Sequence, residues 1–183
     1  MSKRVLVTGA SGFVGANLVR RLLQEGHETH LLLRPPHQTW RLKEVGPHVG
    51  QHHAHIENGP AVKAIVHALK PDWIFHLAAA DAGMAEMVAT NLIGTVHLLD
   101  ACLAEGFESF VYPGLADPPD NGAGITKTAA AAWCSHVARS RNVAVTVVNL
   151  ASMYGPWANP DTHGTLPVEE GVSALLRAAV PAK

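Results

Sequence analysis

Cysteine, tyrosine and unbalanced charge are all scarce in this chain, and each scarcity removes a class of protein. Its two cysteines, Cys102 and Cys134, share no CxxC spacing, so neither a disulfide framework nor a thiolate metal site is on offer, and two buried, reduced thiols are expected. Fourteen basic residues face fifteen acidic ones. Without a basic surplus, nucleic acid is not an expected partner. The basic start Met1-Ser2-Lys3-Arg4 is followed only by Val5-Leu6-Val7 before a polar turn, too short for a secretory signal or a membrane span. Together these absences point to a cytoplasmic protein with no membrane partner. Only Tyr112 and Tyr154 carry a phenol.

Histidine, by contrast, is abundant at twelve residues, with His48, His52, His53 and His55 close together. In an extended segment His53 and His55 share one face and His52 the other, so these rings do not converge. No metal site is expected from them.

Short apolar runs alternate with helical patterns along the whole sequence. Strands are expected at Arg4–Val7, Glu28–Leu33, Val49–Ile56, Trp73–Leu77, Ser109–Tyr112 and Val143–Leu150. Helices are expected over Gly12–Glu25, Thr39–Val45, Pro60–Leu69, Met84–Glu105, Thr126–Arg139 and Pro167–Ala179, with Gly26 and Gly106 as stops and Pro60 at a first helical position. Strands alternating with helices imply right-handed crossovers and a mainly parallel sheet covered on both faces. The expected architecture is an α/β, Rossmann-type doubly wound sheet of order 3-2-1-4-5-6, with ligand at the carboxyl ends of the strands. Length and the absence of an internal repeat or low-complexity linker point to one domain over residues 1–183.

The first strand runs into Thr8-Gly9-Ala10-Ser11-Gly12-Phe13-Val14-Gly15. Gly9 permits the tight turn, Gly12 lets backbone approach a pyrophosphate, and Gly15 lets helix pack on strand. Ser11, Phe13 and Val14 belong to the same turn and helix start, whose free N–H groups and positive dipole end suit phosphates. A dinucleotide is therefore the expected ligand. After the second strand, where an NAD-preferring domain carries an acid, this chain has Arg34, with Arg41 further on. A guanidinium suits a 2′-phosphate, so NADP(H) is favoured over NAD(H); the alternative for Arg34 is a solvated strand end.

These residues resemble the extended short-chain dehydrogenase/reductases of the NAD-dependent epimerase/dehydratase group, closest to nucleotide-sugar 4-ketoreductases and epimerases. Beside the TGxxGxxG turn, Phe75-His76-Leu77-Ala78-Ala79 is similar to the HLAA motif, Asn91-Leu92-Ile93-Gly94-Thr95 to the NxxGT motif, and Tyr154-Gly155-Pro156 to a YGP after the sixth strand. The resemblance implies that Leu77, Ala78, Ala79, Asn91, Ile56 and Lys127 contact the cofactor, with His55 where the family usually has an adenine-binding Asp. It also implies a nucleotide-sugar-like small molecule as a further ligand. Helices 84–105 and 126–139 resemble the surfaces this family uses to form dimers, so a homodimer, or a heterodimer with an intact relative, is expected.

The departures cluster in the chemistry. The family's catalytic Tyr falls on Ala123, four residues before Lys127, and its Ser/Thr-rich stretch reads Pro113-Gly114-Leu115-Ala116. The loop from Asp117 to Gly122 is short, and the sequence after Pro156 is far shorter than the family's substrate lobe, so a reduced lobe is expected. General acid–base help is worth ~10²–10⁴-fold, and Ala and Leu supply none of it. Substitute donors open to the chain are His76, Tyr154 and Asp117, with Lys127 as a remnant. Three readings follow: a cofactor-binding partner or regulatory protein without ordinary redox activity, an enzyme with rebuilt or non-redox chemistry in the same cleft, and a conventional nucleotide-sugar oxidoreductase.

Overall fold

Runs of Val, Leu, Ile and Phe between turn residues become strands buried on both faces, the condition a parallel sheet imposes. In the structure, a computed structural model that describes residues 1–36, 40–118 and 120–180, six strands form the main sheet. They are β1 (Arg4–Thr8), β2 (Glu28–Leu33), β3 (Gly50–His53), β4 (Trp73–His76), β5 (Ser109–Leu115) and β6 (Val145–Leu150). All pair in parallel, in the order β3-β2-β1-β4-β5-β6, as the alternating pattern implied. The helices are α1 (Phe13–Gln24), α2 (Gly59–Leu69), α3 (Met84–Met87), α4 (Gly94–Glu105), α5 (Gly122–Arg141) and α6 (Val168–Ala179).

Alternation along each strand divides the core in two. Val5 and Val7 point with Phe75 and Val111 to the face covered by α1 and α6. Leu6, Ile74 and Phe110 point to the other face, under α2, α4 and α5. Both cysteines are free and buried on that second face; desolvation pushes the Cys134 thiol up to about 12 and raises Cys102 as well, which leaves both unreactive.

Four local departures from the sequence reading matter. Helix α5 starts at Gly122, because the Asn121 side chain accepts the Gly124 N–H at 2.9 Å as an N-cap. Strand β5 continues through Pro113 to Leu115. Even-numbered residues there donate toward β6, as Phe110 and Ala116 do, so Pro113 turns its missing N–H toward β4, whose ladder has ended at Val111. Between α3 and α4 the helix widens into a π turn at Val88–Ile93. The expected helix at 39–45 is a single 3₁₀ turn, Trp40–Leu42, and Thr39 lies outside the described residues. The segment Met84–Glu105 is long and apolar enough to cross a membrane by length and composition, but half of it is buried within the fold.

A second, two-stranded parallel sheet joins β7 (Met153–Tyr154) to β8 (Leu166–Pro167). The order of the main sheet reverses at β1 and β4, and the crevice above their carboxyl ends is where a ligand fits.

Candidate functional site

The turn after β1 is shaped by what its glycines lack. Gly9 has φ +69°, and a Cβ on it would lie 2.4 Å from the Leu77 carbonyl carbon. A Cβ on Gly15 would lie 2.3 Å from the Gly9 oxygen, so α1 starts closer to the strand than any other residue allows. The Gly12 N–H bonds Gly9 O at 3.0 Å, and Gly12 caps α1 with no side chain over the helix end. The first-turn N–H groups of α1 thus remain for an anion.

Above this turn lies a cleft of about 550 Å³. Gly9, Ser11 and Gly12 form its floor, Leu33 and Arg34 its wall after β2, and Leu77, Ala78 and Ala79 its wall after β4, while Ile56 and Thr90 also line it. Thr90 Oγ1 is buried with no hydrogen-bond partner among the described residues, an orphan that a polar ligand atom would satisfy. Floor, helix end, orphan hydroxyl and a cation at the β2 end fit an elongated dinucleotide.

A second cleft of about 620 Å³ shares Leu77, Ala79 and Asp81 with the first. Phe13, Val14, Leu115, Asp117, Ala123, Lys127, Ser152, Met153 and His163 line it. Ala123 and Lys127 are one helical turn apart on α5, on the same face. Burial lowers the Lys127 ammonium below the usual lysine range, opposed by the nearby Asp81 charge, and among the described residues it forms no ion pair. The cleft therefore holds an amine, two carboxylates, two hydroxyls (Ser152 and Thr162) and an imidazole, with methyl and leucyl groups where Ala123 and Leu115 stand. Sequence reasoning missed Asp81 and His163. Asp81 closely follows the β4 motif and was within reach of it; no local signal marks His163, which only the return from β7 to β8 brings to the cleft.

Several expected site residues lie elsewhere. His76 is fully buried and lines neither cleft. The Ala78 N–H donates to Thr8 Oγ1 (3.1 Å), and Thr8 donates to His76 Nδ1 (2.6 Å). Thr95 donates to the Asn91 carbonyl (2.6 Å), so it accepts from His76 Nε2 (2.9 Å). The network assigns a neutral, Nε2-protonated ring, and desolvation, with Lys127 nearby, pushes its pKa down to about 3. His76 is a fixed strut and not a proton donor. Tyr154 is 46% exposed and outside both clefts. Tyr112 is buried beside α5, its hydroxyl 3.5 Å from the Lys127 carbonyl, and desolvation raises its pKa. Of the substitute donors, only Asp117 lines the cleft.

His55 also faces away, its Nδ1 3.3 Å from Glu57, because Ala54 and Ile56 on either side take the inward positions. Asn91 lies behind the wall: its amide pairs with both the N–H (2.7 Å) and C=O (2.9 Å) of Ala80 and donates to Thr126 (2.9 Å). Arg41 lines the first cleft but spends its guanidinium on Trp157 O (2.7 Å), Asn159 Oδ1 (2.7 Å) and Ser11 O (3.4 Å). Arg34 lines the cleft and forms an ion pair with Glu86.

Comparison with known proteins agrees with this geometry. The sequence model of the NAD dependent epimerase/dehydratase family matches residues 5–179. A 3-beta-hydroxysteroid dehydrogenase of Mycolicibacterium neoaurum is 39% identical over 119 residues, 60% of this chain and 31% of that protein. A UDP-glucose 4-epimerase of Klebsiella pneumoniae is 30% identical over 125 residues, 62% of this chain and 89% of that sequence. Among solved structures, the Thermotoga maritima UDP-glucose 4-epimerase with UDP-glucose superposes with a TM-score of 0.77 at 23% identity, covering 88% of this chain and 59% of that one. The Bordetella bronchiseptica enzyme WbmH in complex with NAD+ gives 0.82 at 18%, covering 98% and 73%. The match to the steroid dehydrogenase thus spans about a third of that protein's length.

Proposed function

The chain belongs to the NAD dependent epimerase/dehydratase family, and on that footing we propose that it is a single nicotinamide-dinucleotide-binding unit which has lost ordinary tyrosine-dependent redox chemistry. The pyrophosphate rests on the Gly9–Gly15 turn, the adenosine end runs toward Arg34 and Ile56, and the nicotinamide end reaches Lys127. When bound, the dinucleotide supplies a hydride donor or acceptor. Arg34 favours NADP(H) over NAD(H). A nucleotide-sugar-like molecule is the proposed occupant of the second cleft, and the protein acts as a cofactor-binding or regulatory partner, as a homodimer or paired with an intact relative. One observation carries this reading: the wall beside Lys127 is Ala123, and neither tyrosine reaches the cleft.

Calorimetric titration with NADPH, NADP⁺, NADH and NAD⁺ tests binding, and absorbance at 340 nm with UDP-glucose-type and 3-ketosteroid probes tests turnover. Binding without turnover in the native chain is expected, with Ala123→Tyr gaining ~10²-fold or more with any probe it accepts. Failure of all four dinucleotides to bind, or native turnover equal to that of Ala123→Tyr, overturns the proposal.

A second reading rests on Asp81, Asp117 and His163 sharing the cleft with Lys127: an elimination or isomerisation that uses these groups as acid and base. Chromatography of the same probes, which detects product without net redox change, finds such a reaction, and Asp117→Asn abolishing it supports this reading.

A further inference from the structure

Arg34 follows β2 and Glu86 lies in α3, after β4, so the ion pair between them joins the two strands that flank β1 in the sheet. It therefore runs from Arg34, in the lining of the first cleft, to Glu86, which stands outside that lining on the β4 side, at the end where the adenosine ribose of a dinucleotide lies. Among the described residues, Arg34 and Arg41 are the only cations lining that cleft. Three protein oxygens already occupy Arg41, which leaves Arg34 as the one guanidinium for a 2′-phosphate, and the chain has placed a carboxylate on it. Glu86 is third in the helix that starts at Met84, where the positive dipole end holds a negative charge. Both side chains are about half exposed, at 53% and 49%, so the pair is one that a competing anion displaces at small cost.

We infer that Glu86 sets the balance between the two dinucleotides, by occupying Arg34 and offering its carboxylate to the hydroxyls of an unphosphorylated ribose. This rests on the reading of the cleft as a dinucleotide site. A 2′-phosphate brings about −2 charge beside Glu86 and must take Arg34 from it. A bare 2′-hydroxyl donates to the carboxylate and leaves the pair intact. Glu86 thus stands, from the other side of the cleft, in the role of the acid missing after β2, and it blunts the NADP preference that Arg34 alone would impose.

The test is calorimetric titration of NADP⁺ and NAD⁺ into the native chain, Glu86→Gln, Arg34→Gln and the double variant, at 50 and 300 mM salt, with thermal melts to confirm folding. Glu86→Gln is expected to tighten NADP⁺ about 3- to 10-fold and to weaken NAD⁺ about 2- to 5-fold. The NADP⁺ gain should shrink at high salt and vanish in the Arg34→Gln background, because Glu86 acts through Arg34. If both dinucleotides bind but their affinity ratio moves less than 2-fold in Glu86→Gln, the role of Glu86 is overturned while the binding site stands. If neither dinucleotide binds any of the four proteins, the site itself is wrong and the role of Glu86 falls with it.

Discussion

At the scale of single residues, Gly9 and His76 show how little freedom the cleft floor has. Gly9→Ala meets two penalties at once, a side chain at φ +69° and a Cβ 2.4 Å from backbone. It should cost about 2–4 kcal/mol in urea unfolding and abolish dinucleotide binding. His76 gives a prediction in pH. The unfolded chain takes up this proton near 6.5 and the folded chain only near about 3, so the native state binds fewer protons between those values. Stability from the neutral buried ring is therefore complete above pH 6.5 and is lost as pH falls toward 3. The slope is about 1.4 kcal/mol per pH unit, or about 2 kcal/mol by pH 5. Urea midpoints at pH 7.5 and 5.0 should show this loss, and His76→Asn, though less stable throughout, should show about 2 kcal/mol less of it. Equal pH dependence in both proteins would mean that the ring takes up its proton in the fold at the same pH as in the unfolded chain.

At the scale of elements, the segment after β7 depends on contacts that sequence distance conceals. Asn17 donates to Pro156 O at 2.8 Å, Arg20 lies 3.8 Å over the Trp157 ring, and Arg41 holds Trp157 and Asn159. Trp157 keeps φ +69°, a conformation that persists only where neighbours enforce it. Arg41→Ala should cost about 2–3 kcal/mol and expose the connection between β7 and β8 to limited proteolysis. Arg41→Lys should not rescue it, since an ammonium cannot reproduce the guanidinium fork; unchanged proteolysis in Arg41→Ala would show that the segment holds itself. The strand order and the glycine turn were legible because they rest on local periodicity and spacing. The role of Arg41 was not, because its acceptors lie 116 and 118 residues away. Nor was the π turn, whose Asn91 reads as a cofactor contact until its amide is seen holding Ala80. His163 was hidden for the same reason as Arg41: its place depends on a long-range return of the chain.

At the scale of the whole molecule, apolar exposure is concentrated on one pair of neighbouring elements. Met84, Val88 and Ile93 on the helix from Met84 to Glu105, and Ile125 and Trp133 on α5, are 84%, 46%, 41%, 62% and 40% exposed. Among the described residues, the remaining exposed large apolar side chains, Met1, Trp40, Tyr154 and Val180, lie at the ends of the described chain, in the 3₁₀ turn and in the small sheet. Scattered apolar side chains need no explanation; we propose that this set, carried by two packed helices, is the face used in the proposed dimer. The same helices carry Glu86 and Lys127, so a partner there presses on the elements that line both clefts. If the proposed dimer forms, sedimentation equilibrium should give a two-fold assembly. Trp133→Glu, which puts a charge in the middle of a desolvated contact, should weaken it on the order of 30-fold or more, the ~2 kcal/mol of a central contact residue. Its stability as a monomer should be nearly unchanged, because Trp133 is not part of either core. A native chain that remains monomeric at high micromolar concentration would remove self-association and leave a different chain as the partner for this face.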